Sequence, residues 1–303
     1  MLLTKWVPLH GNACIIASLQ NAADRERQLG KMRGMEAIRL IDPHVHGQAS
    51  ACSSIADDAL LEWFLDRPHH AVVVSDHASW DFYQADWAKD LAGRTLYATE
   101  ITMEGTPFDF LLHTWVEGLF EEYREELRGH GGRRVPPLAV LEDSRVLVTF
   151  AHPPLDTPAR RVRWPGWFGR MRIDFLEFNA VRLRALLGRL AVSREPEELH
   201  KAVQTVNGRM LELRGHLAPE AKFSTGSDAH VVQALGAAGL ALETLAPDGE
   251  TAWRELQAGR YRGWLDLRRL GNYAIDPVSG LQPEPSATPT ASTSPPAHWA
   301  RFD

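Results

Sequence analysis

The chain has 303 residues, of which 44% are hydrophobic and 24% are charged, and this composition excludes disordered and fibrous proteins. Its formal net charge of -6 argues against a general nucleic-acid-binding protein, which would be basic. Two cysteines are too few for a disulfide framework, so we expect a cytoplasmic protein. No segment approaches the roughly 20 apolar residues that span a membrane.

Composition divides the chain into three regions. Residues 1–35 are predicted to be an N-terminal extension of unknown role. Residues 281–303, rich in proline, serine and threonine, are predicted to form a mobile tail. Residues 36–280 alternate short apolar runs with amphipathic segments, a pattern typical of βα units around a parallel sheet. We therefore expect one α/β domain between the two ends.

Seven apolar runs in this domain are predicted to be strands. In chain order they are Ala37–Ile41, Ala71–Ser75, Thr95–Ile101, Phe108–Val116, Val146–Ala151, Ile173–Asn179 and Lys222–Gly226. Helical patterns separate them, and a helix-breaking proline, Pro196, should divide the longest. These patterns run from Ser53 or Ser54 to Arg67, over Glu117–Arg128, over Val181–Leu217 and over Ala252–Gly259.

Nearly every predicted strand ends in a residue that can bind a metal ion. His44 and His46 follow the first strand, and their spacing aims both imidazoles to one side. In a parallel barrel all strands end on one face, so we expect these donors to converge. The predicted metal ligands are His44, His46, His77, Glu100, His113, His152, Asp228 and His230. A buried core histidine is the alternative for His113, and Glu177 is interpreted as a residue that orients a ligand histidine.

This donor set has a chemical preference. Imidazoles and carboxylates suit Zn, Mn or Fe, and one ion takes only three or four protein ligands. The number of donors therefore predicts two or three divalent ions that share bridging carboxylates. Two such ions can hold a hydroxide between them and neutralise the oxygens of a phosphoryl group. The predicted chemistry is hydrolysis.

An arginine-rich loop follows His152. Arg160, Arg161 and Arg163 stand there beside Trp164 and Trp167. Guanidinium groups bind phosphate in a bidentate manner, so these arginines are predicted to bind substrate, with an indole stacked on a flat group. The alternative, left open, is a solvated face whose tryptophans pack on the domain.

The ordered motifs resemble those of the PHP family, the polymerase-and-histidinol-phosphatase phosphoesterases, over about residues 37–275. The matching motifs are Asp42-Pro43-His44-Val45-His46, Val74-Ser75-Asp76-His77, Thr99-Glu100-Ile101-Thr102, Leu112-His113, Phe150-Ala151-His152-Pro153, Leu176-Glu177-Phe178-Asn179 and Gly226-Ser227-Asp228-Ala229-His230. The resemblance implies a distorted, TIM-like (β/α)7 barrel with two or three metal ions.

The resemblance also implies which residues share each ion. The first ion would be held by His44, His46, Glu100 and Asp228, the second by Glu100, His113 and His152, and the third by His77 and His230. The family usually completes the third site with Asp or His at the positions that are Ala51 and Cys52 here. Either Cys52 is a soft ligand that favours zinc, or the third site is weak.

The predicted function is hydrolysis of a phosphate ester, either of a small molecule or of a nucleotide, with nucleic acid bound only as an oligonucleotide end. A hydroxide bridging two ions would attack phosphorus, and Arg160 or Arg161 would stabilise the charge that develops. If the third ion is absent, His230 or His77 would instead protonate the leaving alkoxide. The alternatives are a metal-dependent amidohydrolase, which usually needs a strand lysine, and a PHP-type module that binds or processes nucleic-acid ends.

Overall fold

The computed structural model describes residues 37–129, 138–192, 195–267, 270 and 272–283. The predicted extension, residues 1–35, lies outside this range. Most of the predicted tail also lies outside it, but Gly280–Pro283 forms the last described strand. All statements below concern the described residues.

The described residues form two five-stranded sheets. In chain order the strands are β1 (Ile38–Ile41), β2 (Tyr97–Thr102), β3 (Asp109–Thr114), β4 (Leu147–Ala151), β5 (Phe175–Asn179), β6 (Lys222–Gly226), β7 (Ala238–Ala246), β8 (Tyr261–Asp266), β9 (Asn272–Asp276) and β10 (Gly280–Pro283). One sheet has the order β1-β7-β8-β9-β10 and is antiparallel throughout. The other has the order β2-β3-β4-β5-β6 and is mixed.

The prediction of a distorted (β/α)7 barrel is wrong. The two sheets do not close into a barrel within the described residues, and most strand pairs are antiparallel. The connection over residues 103–108 explains part of the error, because it is too short for the crossover of a dozen or more residues that parallel strands require. Ala71–Ser75, predicted to be a strand, forms only one isolated parallel bridge, from Val72 to Thr95, and His70 just before it forms another, to Leu40.

Seven helices accompany the sheets in the described part of the chain. They are α1 (Asp57–Leu65), α2 (Leu119–Glu122), α3 (Arg124–Arg128), α4 (Ala139–Glu142), α5 (Ala180–Leu190), α6 (Pro196–Leu217) and α7 (Gly249–Ala258). Pro196 stands in the first turn of α6, where its missing N–H costs no hydrogen bond. The division of 181–217 at Pro196 is thus confirmed. None of these helices has the length and apolar character needed to cross a bilayer.

Strand direction in the mixed sheet determines which residues meet. β3 is antiparallel to both β2 and β4, while β4, β5 and β6 are parallel to one another. The strands β2, β4, β5 and β6 therefore point the same way, and their carboxyl ends share one edge of the sheet. That edge is available for a site even though no barrel forms.

A large apolar core supports this sheet from α5 and α6. Leu187 of α5 and Met210 of α6 are fully buried, and they belong to the same cluster as Phe178 and Phe223 on the strands. Burying side chains of this size stabilises the sheet by about 1.5–3 kcal/mol each. The polar edge described next is thus attached to a rigid base.

Candidate metal centre

Three loops meet at the carboxyl edge of the mixed sheet. The backbone N–H of Asp228 donates to the carbonyl of His44 (2.8 Å), and that of Ser75 donates to the carbonyl of Val45 (2.7 Å). The buried carboxylate of Asp42 adds a second tie, because its Oδ1 accepts from the N–H of Ser227 at 3.0 Å. These bonds fix the loops after β1 and β6 against the segment that precedes β2.

The first cluster of donors, here called the deep group, consists of His44, His46, Glu100, His152 and Asp228. The two Nε2 atoms of His44 and His46 are 3.1 Å apart. Glu100 Oε2 lies 3.2 Å from His46 Nε2, and Glu100 Oε1 lies 3.1 Å from His152 Nε2. Asp228 Oδ1 is 3.4 Å from each Nε2 of the histidine pair. All of these side chains are buried or nearly so, and those of His44, His46 and Glu100 are 0% exposed.

A second cluster, here called the shallow group, consists of Cys52, His77 and His230. Its donor atoms and one of His46 lie within 4.8 Å of one another. His230 Nε2 is 3.1 Å from Cys52 Sγ, and His77 Nδ1 is 3.3 Å from Glu100 Oε2. The side chain of His77 is 42% exposed and that of His230 is 30% exposed. The two groups are contiguous, because His46 and Glu100 contact both.

Neighbouring side chains orient the ligands of the deep group. His44 Nδ1 donates to Glu177 Oε1 at 2.7 Å, which leaves Nε2 for the cluster. The other oxygen of Glu177 accepts from the backbone N–H of His152 at 2.9 Å. On the other side, His46 Nδ1 lies 3.0 Å from Ser50 Oγ, and that hydroxyl donates to Asp76 at 2.5 Å. Carboxylate and hydroxyl partners of this kind fix the tautomer and ring orientation of a metal-binding histidine.

The backbone is strained where two of the donors lie. His152 and Asp228 have positive φ angles of 28° and 52°, in a region that favours glycine. Strain of this kind persists only where surrounding structure enforces it, and it concentrates at functional sites. Gly226 shows how tight the packing is, because a Cβ there would lie 2.5 Å from His44 Cβ and 2.6 Å from Glu177 Oε1.

Charge in the cluster is balanced by protons. Burial opposes a charged ring at His44, but Glu177, Asp228 and Glu100 outweigh it and raise the pKa of His44 well above its usual value. Burial likewise opposes ionisation of Glu100, yet the surrounding imidazoles hold its pKa well below the usual range. In the shallow group, burial lowers the pKa of His77. A cation bound among these groups would replace the imidazole protons.

The donors fit a divalent metal ion. Glu100 Oε2 is buried and has no hydrogen-bond partner, although imidazole nitrogens of His44, His46 and His77 stand 3.2–3.6 Å away. An unsatisfied carboxylate oxygen that faces several nitrogens is explained by an ion between them. Two subsets of the deep group, His44/His46/Asp228 and His44/Glu100/His152, have all their donor atoms within 4.8 Å. The buried His, Glu and Asp residues can therefore hold a metal ion.

One predicted ligand lies apart from the donors. His113 is on β3, where it pairs with Leu147 at the start of β4, whereas His152 follows the end of β4. The Nε2 atom of His113 forms a hydrogen bond with the carbonyl of Pro43 (2.8 Å), and burial lowers the pKa of His113 to about 4. The antiparallel direction of β3 places His113 away from the edge that the other donors share. Its contacts are those of a buried core histidine.

The predicted substrate arginines are exposed. Arg160 and Arg161 form a short 3-10 turn with Ala159, and Arg163 follows it. None of the three arginines lines the cavity beside His152 and Glu177. Trp164 packs inward, with its ring stacked on Phe108 (5.1 Å between centroids). These contacts match the alternative in which the tryptophans of this loop pack on the domain.

A cavity of about 490 Å³ adjoins the deep group, and His152 and Glu177 are part of its wall. The arginines in that wall are Arg182 and Arg189 of α5. The sequence analysis did not identify either arginine as a site residue, because arginines in a helical pattern are usually on the solvent-exposed face. It also missed Ser50 as a partner of His46, and no sequence signal distinguishes that serine from its neighbours.

No family model matches the chain, and no curated protein matches it. Among solved structures, that of PsfC from Pseudomonas syringae PB-5123 is similar in part: the alignment is 18% identical, covers 77% of this chain and 94% of the PsfC chain, and has a TM-score of 0.45. A similarity this low supports no conclusion about fold or function. The interpretation of the site depends on its geometry.

Proposed function

We propose that this protein is a metal-dependent hydrolase of phosphate esters. The observation that carries the proposal is the continuity of the deep and shallow groups through His46 and Glu100. Together they offer more donors than one ion can use, so the site is suited to at least two neighbouring ions. Two ions held by these residues would supply polarisation of a phosphoryl group and a nucleophile derived from water at neutral pH.

The chain's own residues have distinct roles in this proposal. The deep group would hold metal ions in a site that Glu177 and Ser50 keep rigid. His230 is partly exposed at the edge of the donors, and where no ion occupies the shallow group it would be accessible to protonate a leaving alkoxide. Arg182 and Arg189 place two guanidinium groups in the wall of the adjoining cavity, where they would bind the anionic groups of a substrate.

Two further observations support a phosphate ester over an amide. The donors occur along the chain in the order of the PHP motifs, which is the order that the resemblance leads one to expect. Lys222, the lysine nearest to a strand end, begins β6 and so lies at the opposite end of that strand from Asp228. An amidohydrolase would need a lysine among the donors to bridge its ions.

The test combines metal analysis with an assay of turnover. Purified protein should contain Zn, Mn or Fe and should release phosphate from an aryl phosphate when Mn or Zn is added. The variant His44→Ala/His46→Ala should lose both the metal and the activity. The matched control is His200→Ala/His216→Ala, which removes two exposed histidines of α6 and should lose neither.

Three outcomes would contradict the proposal. The first is unchanged turnover in His44→Ala/His46→Ala. The second is a metal-loaded protein that hydrolyses a dihydro-amide and no phosphate ester, which would indicate an amidohydrolase. The third is a protein that binds metal and an oligonucleotide end without cleaving any ester, which would indicate a binding module.

A further inference from the structure

The cavity beside the deep group has a chemical pattern of its own. Arg182 and Arg189 are seven residues apart on α5, so they stand on one face of the helix, two turns apart. At 1.5 Å per residue this places them about 10 Å apart along the axis. Leu186 lies between them and is buried in the same wall. The wall therefore presents two cations separated by an apolar surface.

The two arginines differ in their distance from the metal donors. Asn179, the residue that caps α5, donates to Glu177 Oε2 at 3.3 Å and accepts from the backbone N–H of Arg182 at 3.0 Å. Arg182 therefore stands in the turn next to the deep group, whereas Arg189 is in the last turn. Arg182 is thus placed to bind the reacting group of a substrate, and Arg189 is placed to bind a group at the other end of the same substrate.

Both guanidinium groups are available for a ligand. Within the described residues neither Arg182 nor Arg189 forms an ion pair, and both side chains are exposed. The wall also holds two carboxylates. Glu177 already accepts from His44 and from the N–H of His152, and Asp156 is exposed. Phe108, from the connection before β3, adds to the apolar lining.

We propose that the substrate is a phosphate ester that carries a second anionic group about 10 Å from the first, with an apolar segment between them. Arg182 would bind the phosphoryl group beside the metal donors, and Arg189 would bind the remote anion. A volume of about 490 Å³ is within the usual range for a small-molecule site. This inference rests on the proposed function for the identity of the reacting group.

Direct binding tests the inference separately from turnover. Hexane-1,6-diyl bisphosphonate has two anions about 10 Å apart and cannot be hydrolysed, hexylphosphonate lacks the second anion, and ethane-1,2-diyl bisphosphonate is too short. Titration calorimetry on the metal-loaded protein should show the long bisphosphonate binding roughly 10- to 100-fold more tightly than hexylphosphonate, since one charged hydrogen-bonded contact is added. The short bisphosphonate should show no such advantage.

Two variants locate the effect. Arg189→Gln should remove the advantage of the long bisphosphonate and lower the affinity for hexylphosphonate by much less, because hexylphosphonate has no second anion for Arg189 to bind. Arg184→Gln, on the same helix but outside the cavity wall, should preserve the advantage. Equal affinities in the unaltered protein, or an advantage that persists in Arg189→Gln, would overturn the inference.

Parallel assays with hexyl phosphate and hexane-1,6-diyl bisphosphate distinguish this inference from the proposed function. If both esters are hydrolysed with no preference between them, the proposed hydrolase function stands and the second anion site is ruled out. If the long bisphosphonate binds tightly through Arg189 but no phosphate ester is hydrolysed, the second anion site stands and the hydrolase function is ruled out.

Discussion

The deep and shallow groups use the same kinds of side chain but hold them differently. In the deep group, His44 and His46 are fully buried, and Glu177 and Ser50 fix their rings. In the shallow group, His77 is substantially exposed, and His230 is oriented by a backbone carbonyl, that of Asp228 at 2.9 Å. Buried, hydrogen-bonded ligands lose little freedom when an ion binds, whereas exposed ligands must be ordered at that moment.

The difference between the deep and shallow groups indicates which of them should bind metal ions more tightly. A preorganised and desolvated set of donors binds an ion strongly, and its members tolerate little change. Exposed donors bind more weakly and exchange more readily. Substitutions in the two groups should therefore differ in size, and the following experiments, from the largest expected effect to the smallest, test that difference.

The largest effect should follow from changing the residue that both groups contact. Glu100→Gln removes the charge of the carboxylate that faces His44, His46 and His77. Altering a residue that merely orients a ligand costs about 10- to 100-fold in metal affinity, so we expect a loss of roughly 100-fold or more here. Competition with a chelator measures it, and Glu220→Gln, an exposed residue, is the control. If the Glu100→Gln variant keeps its metal affinity in both groups, Glu100 is not a ligand of the metal centre.

Gly226→Ala tests how closely the deep group is packed. The added methyl group would overlap His44 Cβ and Glu177 Oε1, so we expect a destabilisation of about 1–3 kcal/mol and weaker metal binding. Denaturant unfolding measures the first effect. Gly208→Ala, in the middle of α6 with open space around it, should instead be stabilising. A neutral Gly226→Ala would mean that His44 and Glu177 can move apart.

Acid provides a third test, provided that unfolding is separated from metal loss. Burial lowers the pKa of His70 to about 3, against 6.5 for the free side chain, so the unfolded chain takes up a proton that the folded chain does not. Stability present above pH 6.5 is lost as the pH falls, by about 2 kcal/mol between pH 6.5 and 5. Asp42, with a pKa raised to about 7 by burial, changes stability in the opposite direction. The informative quantity is therefore the difference between variants.

His70→Phe removes this titration while keeping a ring against Trp63. Its unfolding free energy should fall less on acidification than that of the unaltered protein, by the same 2 kcal/mol, whereas His200→Ala should follow the unaltered protein. If the folded His70→Phe variant loses metal as the pH falls, the loss can then be attributed to protonation of the donors. Parallel pH curves for His70→Phe and the unaltered protein would rule out a neutral buried His70.

Cys52→Ser should have the smallest effect and should be confined to the shallow group. The exposed thiol is the soft donor among the residues of that group that could hold an ion, so replacing it should weaken binding of an ion there and leave the deep group loaded. In Co²⁺-substituted protein, the near-ultraviolet band of a thiolate ligand should be present and should disappear in Cys52→Ser. Its absence from the unaltered protein would exclude Cys52 as a ligand.

The convergence of donors was predicted for a partly wrong reason. Glu100, His152 and Asp228 lie in or after β2, β4 and β6, which run in one direction in the mixed sheet, as the sequence led us to expect. His44 follows β1, which belongs to the other sheet. The sequence does not show that β3 runs the other way. β3 reverses because the 103–108 connection is short. Since the sequence did not reveal this reversal, His113 was wrongly grouped with the donors.

The C-terminal half shows a second limit of sequence reasoning. β7 has the sequence Ala-Gly-Leu-Ala-Leu-Glu-Thr-Leu-Ala, which is poor in the β-branched and aromatic residues that favour strands. It is a strand because β1 and β8 pair with it on both sides. Similarly, Arg182 and Arg189 line a cavity because of where α5 packs, which helical periodicity alone does not indicate.

The bond between Asp42 and Ser227 spans 185 residues of chain. At a synthesis rate of about 5–20 residues per second, roughly 10–40 s separate the first histidines from the aspartate that completes their cluster. During that interval the nascent chain carries an imidazole pair without its final carboxylate partner. A correctly assembled centre is therefore a late product of translation, and a chain truncated before residue 228 would carry histidines that can bind metal but no finished site.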